Sequence, residues 1–171
     1  MRFSTKKICF TAVFLALNVV MSSSIFSVPV PGGHLYLNDI IICTAALMLD
    51  PLSAVIVGGI GAFLGDLFFY PTPMFVSLVT HGLQAVMISL IAGAGKEDRP
   101  QLLRAIVALF VGVIIMVGGY TLGRAFIYSN PETALLKLPF QFLQAVTGAV
   151  VAGILVYCTP IVKLIKPKQI S

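Results

Sequence analysis

Four ionisable residues lie inside apolar runs of this 171-residue chain: Asp39, Asp66, His81 and Arg124. Placing a charge at the centre of a membrane helix costs about 2.5–3.5 kcal/mol on insertion scales, so each position carries information. The amides Asn38, Gln84, Gln141 and Gln144 and the phenol of Tyr120 share the same runs. These side chains suit the chemistry of holding a polar solute by hydrogen bonds. They do not make a catalytic set. The chain has no HExxH, no GxSxG and no paired-carboxylate motif. Gly93-Ala94-Gly95-Lys96 looks like the end of a phosphate loop, but Leu90 and Glu97 stand where that loop needs Gly and Ser or Thr. Cys9, Cys43 and Cys158 show no CxxC spacing and read as small buried apolar residues rather than a disulfide or metal framework. The expectation is a binding protein with no catalytic residue, no metal and no cofactor.

Spacing groups these residues. Ser77, His81 and Gln84 step by four and three along one helical face. Tyr120 and Arg124 step by four; Lys137, Gln141, Gln144 and Gly148 step by four, three and four. Asn38 and Asp39 open their segment, and Asp66 lies close to the end of its own. All of them fall at one depth, in the outer halves of their segments, so they are expected to enclose a wet cavity open to the outside. Plainer roles stay open for each. Asp66 and Arg124 also suit an ion pair locking two helices, and Gln141 and Gln144 suit interhelical bonds of about 0.6 kcal/mol. Asn38 and Asp39 suit a helix cap. Tyr36, Tyr70 and Tyr128 suit an interfacial belt.

The elements that must position these groups follow from composition. Hydrophobic residues make up 58% and charged residues 10%, against about 25% charged in soluble domains. Mean hydropathy is +1.04. A soluble globule of this size could not hide so much apolar surface. The chain therefore reads as one transmembrane domain over 1–171, an all-α membrane protein with six segments at about 8–26, 37–49, 52–70, 74–94, 102–127 and 139–164. The breaks are Val28-Pro29-Val30-Pro31-Gly32-Gly33, Asp50-Pro51, Pro71-Thr72-Pro73, the charged loop Lys96-Glu97-Asp98-Arg99-Pro100 and the turn Ser129-Asn130-Pro131-Glu132. The basic start of the first segment could pass for a secretory signal, but with no clear A-x-A site it reads as a retained helix.

Six spans put both termini on one side. That side holds Arg2, Lys6, Lys7, Lys96, Arg99, Arg104, Lys163, Lys166 and Lys168, nine of the eleven Lys and Arg residues. The positive-inside rule places it in the cytosol, and leaves the 28–37 loop outside, where it could cover a mouth. The net charge of +5 is thus a matter of topology and does not point to nucleic acid. Small residues crowd the third and sixth segments, at Gly58, Gly59, Gly61, Ala62 and Gly65 and at Gly148, Ala149, Ala152 and Gly153, mostly for internal packing.

The order of several features carries a resemblance. Ala12-x-x-x-Ala16 is followed by the PVPGG loop, Asn38-Asp39, Leu49-Asp50-Pro51, Gly65-Asp66-Leu67 and Pro71-x-Pro73. Over about the first 95 residues the chain resembles the substrate-binding S component of energy-coupling factor (ECF) vitamin transporters of prokaryotes. His81-Gly82 stands where many members carry Lys-Gly. The resemblance implies a six-helix bundle that binds a vitamin or precursor at its outer end, under the first loop. It implies partners as well: a transmembrane T component, contacted through Ala12 and Ala16, and two cytosolic ATPases. The donor and acceptor mixture suggests a pyridine or pyrimidine type of ligand. Two rivals stand beside it. One is a structural or assembly membrane protein of the cell-shape type, and the other a stand-alone secondary transporter of small solutes.

Overall fold

The structure is a computed structural model that describes residues 5–31, 33–95 and 99–162. Six helices and one hairpin make up these residues. Helix α1 is Thr5–Met21, followed by a two-stranded antiparallel hairpin, β1 (Ser27–Val30) and β2 (Gly33–Tyr36). Then come α2 (Asn38–Met48), α3 (Pro51–Phe69), α4 (Met74–Ala92), α5 (Leu102–Tyr128) and α6 (Pro131–Cys158). The four helices α3 to α6 are each long and apolar enough to cross a membrane.

Helix α2 is the exception. At 11 residues it is about 16 Å long, roughly half a bilayer core. Its length is explained by its place: nine of its residues are buried, Asn38 and Asp39 among them. It runs through the middle of the bundle, packed on α6, α4 and α1, and so never has to cover lipid. Away from the hairpin the core is apolar, with Ile42, Leu47, Val57, Ile88 and Val156 packed among Ala45, Ala46, Ala85, Ala108 and Ala152. Large apolar side chains such as Val79, Leu103, Phe110 and Phe126 cover the outside. That is the distribution expected where the solvent is hydrocarbon.

Small residues set how closely the helices approach. A Cβ on Gly58 would stand 2.7 Å from the His81 carbonyl oxygen, and one on Gly148 would stand 2.5 Å from the Asp39 Cβ. Each glycine thus lets its helix press against one that carries a polar group. Within α3 a π turn spans Ile56–Ile60, and the Asn18 amide donates to the Val57 carbonyl there at 2.6 Å. The first helix is thereby tied to the third. Its other face carries Ala12 and Ala16, both exposed.

Several sequence expectations need correction. The first segment ends at Met21 rather than residue 26, because the chain turns into the hairpin. The last helix starts at Pro131, not at 139. Pro131 occupies the first turn, and the Asn130 side chain accepts from the Thr133 N–H at 2.8 Å. A proline in the first turn loses nothing because that N–H has no intrahelical partner, and Pro139 is carried inside the helix. Cys43 is buried as expected, but Cys9 and Cys158 are exposed. Of the nine basic residues assigned to one side, Arg2, Lys96, Lys163, Lys166 and Lys168 lie outside the described residues.

Candidate functional site

A cavity of about 220 Å³ opens at the hairpin end of the bundle. Five helices and the hairpin contribute to its wall. Asn38 comes from α2, Asp66 from α3, His81 from α4, and Tyr120 and Arg124 from α5, while Gln141 and Gln144 come from α6. Seven of the nine sequence candidates therefore share one hollow. The other two, Asp39 and Gln84, do not line it. They are buried behind the wall, at 1% and 0% exposure. A carboxylate at that depth needs hydrogen bonds, and Asp39 accepts two, from Gln84 Nε2 at 3.1 Å and Gln144 Nε2 at 2.7 Å. Neither Asn38 nor Asp39 caps α2 through its side chain.

Sequence reasoning missed part of the wall. Lys137, recognised only as a step in the α6 stripe, lines the cavity and donates from Nζ to the His34 carbonyl at 2.6 Å. Gln144 Oε1 accepts from the backbone N–H of Tyr36 at 3.0 Å. These two α6 side chains strap β2 over the cavity. Gly33, with φ of +138°, takes a conformation open to glycine but not to most residues. A Cβ there would lie 2.9 Å from Lys137 Nζ. Tyr36, Tyr70 and Tyr128 also line the cavity rather than forming only an interfacial belt. The depth where phenols favour a membrane interface is here the depth of the mouth. Burial, with Asp66 and Tyr70 nearby, pushes the Tyr36 phenol above its ordinary value.

The wall is ordered by its own hydrogen bonds. The Ser77 hydroxyl donates to Asp66 Oδ2 and pairs with the Tyr120 hydroxyl. With its proton given to Asp66, Ser77 accepts from Tyr120. The His81 ring meets Tyr120 edge-on, with centroids 5.2 Å apart, and Arg124 sits over the Tyr128 ring at 5.2 Å. Two buried polar atoms of wall residues have no hydrogen-bond partner among the described residues: Asn38 Oδ1 and Gln141 Oε1. A buried polar atom left unpaired costs about 1–3 kcal/mol. Asn38 and Gln141 both line the hollow, so its wall carries two amides with unused hydrogen-bonding capacity. Among the described residues no group of three or more His, Cys, Asp or Glu is placed to hold a metal ion.

Comparison with known proteins agrees with this architecture. Residues 2–161 match the family model of the ECF-type riboflavin transporter, S component. The chain belongs to this S component family. A thiamine precursor transporter, HmpT, of Lactococcus lactis subsp. cremoris is 32% identical over 154 residues, covering 88% of this chain and 85% of that protein. An uncharacterized protein of Pyrococcus woesei is 29% identical over 141 residues, covering 81% of this chain and 92% of the other. This S component is thus a multi-pass membrane protein of a transporter family, and the ECF resemblance extends over nearly the whole chain rather than the first 95 residues alone.

Proposed function

We propose that this S component captures a one-ring nitrogen heterocycle of vitamin type, or a precursor of one, from outside a prokaryotic cell. The observation that carries this reading is the hollow under the hairpin, ringed by Asn38, Asp66, His81, Tyr120, Arg124, Gln141 and Gln144. Asp39 and Gln84 act from behind by holding this wall. The family description speaks of riboflavin and one relative of a thiamine precursor. The volume of about 220 Å³ is below the roughly 300–1,000 Å³ of pockets that bury drug-sized ligands. It favours a single ring over the three fused rings of riboflavin.

Delivery would run through a T component and two cytosolic ATPases, with no catalysis by the S component itself. Ala12 and Ala16, exposed on α1, suit the T-component contact because small residues allow close helix approach. The six-helix bundle would sit in the cell membrane with both termini in the cytoplasm, the short α2 enclosed by its neighbours. Charge supports this orientation. Lys7 pairs with Asp50 at 2.7 Å, and Arg99 donates to the Tyr157 and Thr159 carbonyls at 3.2 and 3.4 Å. These contacts join the start of α1, the α2–α3 turn and the end of α6 on the side away from the hairpin.

Calorimetry on the purified, ligand-free protein tests the reading. The probes are the pyrimidine half of thiamine, thiamine, pyridoxine and riboflavin. Binding of a one-ring probe with no riboflavin heat is expected. Riboflavin binding alone would overturn the choice of ligand, and silence with all four would overturn the vitamin reading.

A further inference from the structure

One chain of hydrogen bonds crosses from the hairpin to the cavity, and its direction can be read from end to end. It starts at a backbone N–H, which can only donate. The Tyr36 N–H is bound to Gln144 Oε1 at 3.0 Å, so the amide nitrogen of Gln144 faces the other way. That nitrogen lies 2.7 Å from Asp39 Oδ2. The second carboxylate oxygen, Oδ1, takes the Gln84 amide nitrogen at 3.1 Å. An ionised carboxylate accepts only, so both glutamines must turn their nitrogens toward it. Gln84 is then left with its oxygen toward His81 Nδ1, at 2.7 Å. An amide oxygen cannot donate, so His81 Nδ1 must carry a hydrogen. The position of Asp39 Oδ1, 3.9 Å from the same nitrogen, favours that N–H dipole as well.

We propose that Asp39 and Gln84 are positioning residues that hold His81 as its Nδ1–H tautomer, so that Nε2 offers a lone pair to the cavity and selects a ligand bringing an N–H or O–H donor there. In a neutral imidazole one nitrogen donates and the other accepts. Nδ1 is taken by Gln84, and Nε2 is the nitrogen left for the hollow that His81 lines. An aromatic amine meets this demand; a ring with an ether or a carbonyl oxygen at that point does not. The inference rests on the cavity being the ligand site, and narrows the ligand to an amino- or hydroxyl-bearing heterocycle.

The chain makes a sharp statement about Asp39→Asn. Asparagine has the shape of the carboxylate but offers one acceptor and one donor. Gln144 stays fixed by the Tyr36 N–H, so Asn Oδ1 must face it and Asn Nδ2 must face Gln84. Gln84 then turns over and donates to His81 Nδ1, which moves the histidine hydrogen to Nε2. Nitrogen-15 NMR of the histidine-labelled protein in nanodiscs, with His34→Asn to separate the two histidines, reads this directly. In the unsubstituted network His81 should be protonated at Nδ1 and bare at Nε2, and Asp39→Asn should exchange the two signals. Calorimetry with 4-amino-2-methylpyrimidine and 4-methoxy-2-methylpyrimidine reads the consequence. The amine should bind at least about tenfold better, and Asp39→Asn should abolish or reverse that preference.

An Nε2–H tautomer or an imidazolium at His81 in the unsubstituted network would overturn the proposal, with no variant needed. The expected tautomer with equal affinity for both probes would overturn selection by His81. The expected tautomer with no heterocycle bound would uphold the network but overturn the vitamin reading and the selection built on it.

Discussion

At the scale of single residues, the polar atoms with no partner separate binding from stability. Gln141 Oε1 is buried and unpaired, while Gln144 uses both ends of its amide. Truncating an unpaired group removes a cost; truncating a paired one creates costs in its partners. Gln141→Ala is therefore expected to lower ligand affinity about tenfold or more while leaving the thermal midpoint unchanged or raised. Gln144→Ala is expected to lower both, because it strips Asp39 and the Tyr36 N–H together. A melting curve beside a calorimetric titration compares the two. Gly148 offers a steric test. Its missing Cβ would stand 2.5 Å from the Asp39 Cβ, so Gly148→Val must push α2 and α6 apart. Overpacking of this kind costs about 1–3 kcal/mol, which a drop in the melting midpoint would report.

At the scale of elements, the hairpin is held chiefly by α6. The Lys137 ammonium, 6% exposed, reaches the His34 carbonyl at 2.6 Å. Lys137→Met keeps the length of the side chain and removes the donor. A charged hydrogen bond is worth about 1.5–3 kcal/mol, so ligand release through the hairpin is expected to quicken about tenfold in stopped-flow measurements. An unchanged release rate would mean that β2 does not cover the route. At the opposite end, Asp50 joins the α2–α3 turn to α1. Burial weakens it as an acid and pushes its pKa up, but the hydrogen bonds and charge of Lys7 and Ser53 outweigh that and hold the carboxyl below its ordinary value. A carboxyl with a depressed folded-state value stabilises above its unfolded value and loses that contribution as pH falls through the folded one. Both groups are about a quarter exposed, so the pair contributes only about 0.2–1 kcal/mol. The deficit of Asp50→Asn in melting midpoint should be present at pH 7 and shrink below about pH 4.

How much of each element was legible differs from place to place. Helices α3, α4 and α5 fell within two residues of their hydropathy limits, because a long apolar run in lipid has few other ways to satisfy its backbone. Pro131 was read as part of a turn although it starts α6. The turn and the first helical residue share the same chemistry there, and only the Asn130–Thr133 bond separates them. The hairpin read as a loop, since two four-residue strands, SVPV and GHLY, joined through Pro31-Gly32 carry no periodic signal.

At the scale of the whole molecule, the proposed binding site and the proposed docking face are separate surfaces. The cavity lies under the hairpin, and Ala12 and Ala16 are exposed on the outer face of α1. Replacing both alanines by tryptophan should leave ligand affinity unchanged and abolish uptake in cells that also carry a T component and its ATPases. Uptake that survives, or binding that fails, would show that this face is not the docking surface.

The sequence by itself determined the solvent of this protein and the helices that suit it, since burial of apolar side chains depends on composition summed along short stretches. It also placed the polar groups at one depth, because helical spacing is local. Which of them face the hollow was decided only by the tertiary structure. Asp39 meets Gln144 across 105 residues and Lys137 meets His34 across 103. Asp39, read from sequence as a ligand contact, became the anchor behind the wall; Lys137 became part of the wall itself. A buried carboxylate takes whatever donors the fold brings within about 3 Å, and no local rule states which helices will bring them.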